Sequence, residues 1–449
     1  MTEIIIPSSD SNFSRRDFVK TSAVVSASVI AGSAASAFAP HVAGSDILKV
    51  GLVGCGGRGT GAAYQALRAD KGARLVAMAD VFADRMQSSL RELIKEQEVK
   101  DPNEPPPEPS VKDQVLVKPE TMFDGFEGYK KLIEMCDVVL LCSTPHFRPA
   151  HLKAAVEAGK HIFCEKPVAV DAPGVRSVIE SAREATKKKI NIVSGFCWRY
   201  NDPDREMFKR IHDGQIGKIG AIHTRYLTGG LGLHPRKPEW SDMEYQMRNW
   251  YYYTWLSGDH IVEQACHSIN KIAWAMKDEM PVACSAVGGR QVRTGAEYGH
   301  VFDHFAVVYE YKDGARAFHD CRQTEGCMND NTDYLIGSKG TAFINSWGPT
   351  HVIEGANKWR WEGPAPRDKY QTEHDELFEA IRKGKIINEG EMLATSTLMS
   401  IIGRMAAYTG LRITWEQAMN SKEDLTPPKY EFGPMPTPPV AVPGRTPFI

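Results

Sequence analysis

Two stretches of the chain carry residue types suited to moving a proton. In "CEKPVAV", Glu165, Lys166 and Pro167 close a short apolar run that reads as a strand. Ligands of parallel α/β sheets bind beyond the carboxyl ends of the strands, so Lys166 would project toward one. Desolvated there, with its pKa lowered, a lysine works as a general acid or base near neutrality. The plain alternative is an ordinary exposed lysine. In "GDHIVEQACHSINKIAWAM", His260, Glu263 and His267 stand at i, i+3 and i+7, one face of a continuous helix. His267 would be an acid/base, with Glu263 holding its tautomer or binding a substrate hydroxyl. Two histidines and a carboxylate are also a metal set, and a polar helix face is the structural alternative. Because i to i+7 spans nearly two turns and stretches ligand distances, no metal is assigned.

A third stretch, "LKVGLVGCGGRGTG", places Gly54, Gly56 and Gly59 in G-x-G-x-x-G spacing between a strand and a helix. Glycine there permits the tight turn and lets a pyrophosphate approach the amides at the helix N-terminus. Asp80 closes the next strand, "ARLVAMAD", where a carboxylate hydrogen-bonds the adenosine ribose. The expected coenzyme site comprises Gly54, Gly56, Gly57, Arg58, Gly59 and Asp80. To these it adds Ser143, Pro145 and His146 after the strand "DVVLLC", and Glu165 with Lys166. Asp80 favours NAD, since a 2′-phosphate would meet a carboxylate; Arg58 and Arg85 blunt that preference and leave NADP open.

The clusters "WRYNDPD", "YQMRNWYYYTW" and "YGHVFDHF" combine stacking faces with hydrogen-bonding groups of the kind sugars require. They supply Arg199, Tyr200, Asn201, Arg248, Trp250, Asp303 and His304 as expected substrate contacts, with His260. Tyr and Trp are amphipathic, so an oligomer interface would use them equally well.

Around these motifs, strand-like and helical runs alternate from Leu48 to about Asp171, which argues for a parallel sheet with helical crossovers. "EQEVKDPNEPPPEPSVKDQVL" is too rich in proline and charge to pack and reads as a surface excursion. Later segments, among them "GAIHTRYLT", "DHFAVVYEYK" and "ARAFHDCRQ", read as an open, largely antiparallel sheet, followed by a helical return. The expected fold is α/β: an N-terminal Rossmann domain (45–170), then a C-terminal α+β domain (171–425) for substrate and oligomerisation. A Pro-rich arm (426–449), docked or loose, ends the chain.

The formal net charge of −2 gives no electrostatic case for nucleic acid or an anionic membrane. Nine cysteines, an odd number and several inside apolar runs, read as reduced core residues, with Cys321 and Cys327 the one pair to check. Residues 1–44 read as a twin-arginine leader. Arg15 and Arg16 in "SRRDFVK" precede a charge-free Ala- and Ser-rich run ending in "ASAFA". That predicts contact with the twin-arginine export machinery and a periplasmic or otherwise exported protein.

The run from "KVGLVGCGGRG" through "AAVEAGKHIFCEKPVAV" and "GDHIVEQACHSIN" to "GRMAAYTGLRITWEQ" resembles the Gfo/Idh/MocA oxidoreductases, the glucose-fructose oxidoreductase and inositol dehydrogenase family. The resemblance implies that Lys166, beside a cis Pro167, contacts nicotinamide and substrate. It also maps the family's D-x-x-x-H motif onto Glu263 and His267, with Glu in place of Asp. A homodimer or homotetramer joined through the open sheet is implied as well. The expected function is NAD(P)-dependent oxidation of a sugar, polyol or glycoside hydroxyl. Because an exported enzyme meets no evident supply of free NAD, the coenzyme should be tightly held and restored in each cycle. An NAD-dependent glycosidase or lyase, working by transient oxidation and elimination, is one alternative. A non-catalytic sugar-binding relative is another.

Overall fold

The computed structural model describes residues 47–95, 109–348 and 350–449. The leader (1–44) and most of the proline-rich excursion lie outside them. Where the excursion returns, the Gln114 side chain donates to the carbonyls of Leu67, Asp70 and Ala73, and the Leu116 N–H bonds the Leu75 carbonyl at 2.8 Å.

Six strands, β1 (Leu48–Val53), β2 (Ala73–Asp80), β3 (Met122–Asp124), β4 (Val138–Leu141), β5 (His161–Cys164) and β6 (Ile192–Ser194), form a parallel sheet in the order β3-β2-β1-β4-β5-β6. Their apolar composition follows from burial on both faces: Val50, Leu52, Val138 and Leu140 pack on one side, and Val53, Val139 and Leu141 on the other. Helices α1 (Gly57–Ala69), α2 (Ala83–Ile94), α3 (Gly128–Met135), α4 (Arg148–Glu157) and α5 (Ala172–Lys188) connect the strands. The strand order reverses between β1 and β4, the crevice where such sheets bind ligands. The sheet runs past residue 170, where the sequence reading ended this domain. The α5 crossover, capped by Asp171 accepting from the Gly174 N–H, returns the chain to pair β6 with β5.

The second sheet has nine strands: β7 (Ile219–Thr228), β8 (Ala283–Gly289), β9 (His304–Glu310), β10 (Arg316–Gln323), β11 (Thr332–Gly337), β12 (Gly340–Asn345), β13 (His351–Gly355), β14 (Trp359–Arg360) and β15 (Ile413–Thr414). Their order is β14-β13-β12-β11-β7-β10-β9-β8-β15, antiparallel throughout except for β7 beside β10. Alternation decides its two faces. On β10, Ala317, His319 and Cys321 are buried while Phe318 is exposed. Helices α6 (Asp202–His212), α7 (Asp242–Arg248), α8 (Thr254–Ser257), α9 (His260–Glu263) and α10 (Cys266–Ala275) precede or interrupt the strands; α11 (Lys369–Lys383), α12 (Gly390–Thr409) and α13 (Trp415–Asn420) follow.

Helix α12 is buried along most of its length and packs on α5, α10 and β8, joining the layers of the two sheets. It includes Arg404, whose buried guanidinium donates to the Val170 carbonyl at 2.9 Å and pairs with Glu423. Helix α11 packs back on α1. The Pro-rich arm is docked: Gly444 N–H bonds the Thr409 carbonyl and Lys422 N–H bonds the Ile449 carbonyl. All nine cysteines are free, with Cys321 buried and Cys327 exposed, so the pair singled out above is not a bridge. Among the described residues, no helix is long and apolar enough to cross a membrane.

Candidate active site

A cavity of about 690 Å3 runs from the glycine-rich turn and Asp80 to Lys166, Glu263 and His267. At its coenzyme end the glycines divide into two kinds. Gly54 has φ of +92°, and a Cβ there would come within 2.3 Å of the Ser143 backbone nitrogen. A Cβ on Gly59 would lie 1.9 Å from the Gly54 carbonyl oxygen. These two let the turn fold against itself. Gly56, at φ −73°, is in a conformation open to any residue, and its Cβ would meet only an Arg85 nitrogen at 3.8 Å. For Gly57 nothing lies within 4 Å. This pair leaves an open cradle at the N-terminus of α1, the space a pyrophosphate requires.

Asp80 lines the cavity at the end of β2. Its carboxylate accepts the N–H of Cys55 at 2.6 Å and of Phe82 at 2.9 Å. Burial raises its pKa, opposed by those two bonds. Both the cradle and the carboxylate fit an NAD molecule.

Arg58 and Arg85 both line the cavity, and the Arg58 guanidinium pairs with Glu165 and with Glu373 of α11, at 3.2 Å for the latter. Ser143 lines the cavity with its hydroxyl 3.1 Å from His151 Nδ1. Pro145 and His146 do not line it. Pro145 opens a tight turn ahead of α4, and His146 is buried, its Nε2 2.8 Å from the Tyr430 hydroxyl.

At the other end, Lys166 follows β5, and its peptide bond to Pro167 is cis. Its Nζ donates to the Glu263 main-chain carbonyl at 2.7 Å and lies 3.5 Å from Glu263 Oε1. Burial alone would lower the lysine pKa, but Glu263, Cys266 and Glu165 together raise it well above the usual lysine range. The expected lowered pKa is therefore reversed, and Lys166 stays charged because its negative neighbours outweigh its desolvation. His267 shifts the other way. Burial first, then Lys166 and Lys271, hold it well below 6.5, so the imidazole is neutral at neutral pH.

Glu263 pairs with Lys166 rather than fixing the His267 tautomer: His267 Nδ1 has no hydrogen-bond partner, nor has Glu263 Oε2. Buried polar atoms are rarely left so, and both belong to residues lining the cavity.

The continuous helix expected from His260 to His267 is broken. Helix α9 ends at Glu263 and α10 starts at Cys266, with the Ala265 N–H reaching back five residues to the His260 carbonyl. This detaches His260 from the site. Its Nδ1 lies 3.1 Å from the carboxylate of Asp259, a non-glycine residue held at φ +77° by further bonds from the Phe302 N–H and the Tyr408 hydroxyl.

Of the other expected substrate contacts, Arg248 and Trp250 line the cavity, and five residues do not. Arg199 donates to Asn270 and Asp278. Tyr200 is buried against Glu389 and under the Arg205 guanidinium. Asn201 donates to Asp204 at 2.6 Å. Asp303 accepts the N–H groups of Gln291, Val292 and Arg293 and pairs with His304 at 2.7 Å. Burial would raise the Asp303 carboxyl, but those bonds bring it to about 2. These polar clusters secure junctions in the fold rather than a ligand.

In their place stand Tyr226 of β7, Gln264 from the helix break, and Tyr370 of α11. Tyr251 also lines the cavity, and the sequence pointed to it only as part of an aromatic cluster. Strand alternation marks Tyr226 as inward-facing; nothing local marks Tyr370. Among the described residues, no three His, Cys, Asp or Glu side chains converge as a metal site would.

Residues 48–192 match the family described as "Oxidoreductase family, NAD-binding Rossmann fold", and residues 205–343 match "GFO/IDH/MocA C-terminal domain". Inositol 2-dehydrogenase 3 of Saccharopolyspora erythraea is 27% identical over 271 residues, covering 60% of this chain and 64% of that protein. Myo-inositol 2-dehydrogenase of Thermotoga maritima is 25% identical over 308 residues, 68% of this chain and 78% of that protein. Two solved structures share the fold. Aldose-aldose oxidoreductase from Caulobacter crescentus, complexed with glycerol, superposes with a TM-score of 0.62 at 19% identity over 82% of this chain and 99% of that one. Levoglucosan dehydrogenase, in complex with NADH and levoglucosan, gives 0.62 at 18% identity over the same shares. The chain belongs to the Gfo/Idh/MocA oxidoreductase family, and its N-terminal domain is that family's NAD-binding Rossmann fold.

Proposed function

We propose that the protein oxidises a secondary hydroxyl of a sugar, polyol or glycoside. The observation that carries this is the opposed pair in one cavity: a lysine held charged and a histidine held neutral, beside a glutamate oxygen without a partner. NAD bound along the glycine-rich turn supplies the acceptor for the hydride leaving the carbinol carbon. Lys166 donates a hydrogen bond to the hydroxyl oxygen, and neutral His267 takes the hydroxyl proton. Glu263, paired with Lys166, is placed to accept from a neighbouring hydroxyl of the same polyol. Two groups of different kind with pKa values pushed apart divide the acid and base roles. The relatives named for inositol, aldose and levoglucosan chemistry support this class of substrate.

The finer reading is a coenzyme retained through the cycle by an exported protein, supported by Arg15-Arg16 and the charge-free run after them. A copy-to-copy interface is proposed on the outer face of the nine-stranded sheet. The strand register places Val287, Phe318, Tyr334 and Ile336 on that face, and all are exposed. Light scattering on the purified protein reads this directly, and a monomer at micromolar concentration would refute it.

The deciding experiment is purification without added coenzyme, denaturation, and measurement of the nicotinamide released and its oxidation state. The protein is then screened with inositols, aldoses and glycosides by absorbance of the reduced coenzyme. Near-stoichiometric NAD and reduction by one of these classes are expected. An empty protein that rebinds NAD but is never reduced would sink the catalytic reading and leave a silent sugar-binding relative.

A further inference from the structure

The C-terminal arm meets the coenzyme end of the cavity. Three loops of the parallel sheet form that end's aromatic wall: Phe82 after β2, Phe126 after β3 and Phe147 after β4, all lining the cavity. Phe82 lies two residues beyond Asp80, so the wall stands beside the position of the adenosine.

Two residues of the arm, Tyr430 and Phe432, together reach all three loops. Phe432 stacks on Phe82 with ring centroids 5.7 Å apart and planes 12° apart, and lies 5.5 Å from Phe126. Tyr430 packs on Phe126 and on Phe147, 5.7 Å from each, and its hydroxyl pairs with His146 Nε2 at 2.8 Å. Between Tyr430 and its end the arm is tied to α7 in the other domain. Met243 N–H donates to the Gly433 carbonyl, Gln246 Nε2 to the Met435 carbonyl at 2.7 Å, and Met435 N–H to Asp242. From the same helix Arg248 lays its guanidinium over Phe82, 4.0 Å from the ring centroid, and reaches Asp84 at 3.2 Å.

We propose that residues 430–435 form a clasp that closes the adenosine end of the coenzyme site and sets the rate at which NAD enters and leaves. Loops that grip a dinucleotide must part to exchange it, and the arm bridges these three to one another and, with Arg248 and Trp255, to the substrate domain. Neither Tyr430 nor Phe432 lines the cavity, so the clasp acts on the loops rather than on the coenzyme. The inference rests on NAD binding at the glycine-rich turn and gives coenzyme retention a structural cause.

Full-length F432A, Y430F and the double variant, stripped of coenzyme, test this. NAD binding and release are followed by stopped-flow quenching of tryptophan fluorescence. A clasp slows both directions, so association and dissociation rates rise together. The double variant should gain about tenfold or more in each, since it removes the Phe432 ring contacts and the His146 bond together. Y430F keeps the ring and loses only the His146 bond, so it should show a smaller rise in both. If the double variant does not fold, F432A and Y430F decide singly. Rates within twofold of wild type overturn the clasp. So does a rise in dissociation alone, which would mean direct contact with the coenzyme. Failure of the wild type to bind NAD at all would instead remove the coenzyme reading itself.

Discussion

The two ends of the cavity are built on different plans. At the coenzyme end the groups placed for phosphate and ribose are mostly main chain, a glycine turn and a helix N-terminus with one carboxylate within Gly54–Asp80, backed by the aromatic wall of Phe82, Phe126 and Phe147. The catalytic end is made of side chains from β5, β7, the α9–α10 break and α11. A backbone site tolerates few atoms more and needs few charges. The side-chain site depends on charges balanced across distant elements, so a change at one end should leave the other largely intact.

The largest effect should come at the catalytic end. K166M keeps the bulk and removes the charge, and kcat should fall by about 10²–10⁴ with coenzyme affinity little changed. Measured NAD affinity falling in proportion to kcat would break the separation. At the coenzyme end, G56A adds a methyl group to the cradle without backbone strain. It should weaken NAD binding by about 10- to 100-fold, equivalent to about 1–3 kcal/mol of overpacking, while the unliganded protein loses no more than about 1 kcal/mol of stability. G54A, forced to φ +92° against Ser143, should destabilise the unliganded protein as well. Equal thermal shifts for the two variants would refute the division of the glycines.

The pH dependence sharpens the comparison further. His267 is neutral because its folded pKa lies well below 6.5, so the acid limb of kcat/KM should fall well under pH 6.5. A limb at pH 6–7 that disappears in H267Q would show that the site does not desolvate this ring.

Stability supplies a further test. Burial lowers His146 to about 4, His151 to about 3, His300 to about 4 and His319 to about 3. Each folded pKa lies below the unfolded value of 6.5, so the unfolded chain binds more protons between the two. Stability is therefore full above about pH 6.5 and is lost as pH falls toward 3–4. Urea melts at pH 7.5 and 5 should show this loss, and equal midpoints would contradict the neutral burial of these rings.

How much of this was legible in the sequence follows the same division. Strand β2 is the run "ARLVAMAD" residue for residue, because a strand buried on both faces announces itself by composition. The cradle was legible too, since a turn, its helix and the ribose carboxylate are neighbours in the chain. Helical periodicity joined His260 to His267 and missed the break at Gln264 and Ala265. The start of α9 is set from far along the chain too, since Asp259 is held by Phe302 and Tyr408. Arg199, Tyr200, Asn201 and Asp303 carry the polarity of ligand contacts, but their partners are other parts of the same fold.

By itself, then, the sequence pointed to the family, the parallel sheet, the coenzyme turn, and Lys166, Glu263 and His267, which the fold brings into one cavity. All of these rest on short-range pattern: strand burial, glycine spacing and side-chain type. Tertiary structure alone decided that Lys166 is charged and His267 neutral, that Arg58 belongs to Glu165 and Glu373, that Tyr226 and Tyr370 enter the site, and that the C-terminal arm lies across the coenzyme loops. Desolvation and Coulomb interaction depend on distance in space, and residues far apart in the chain set both.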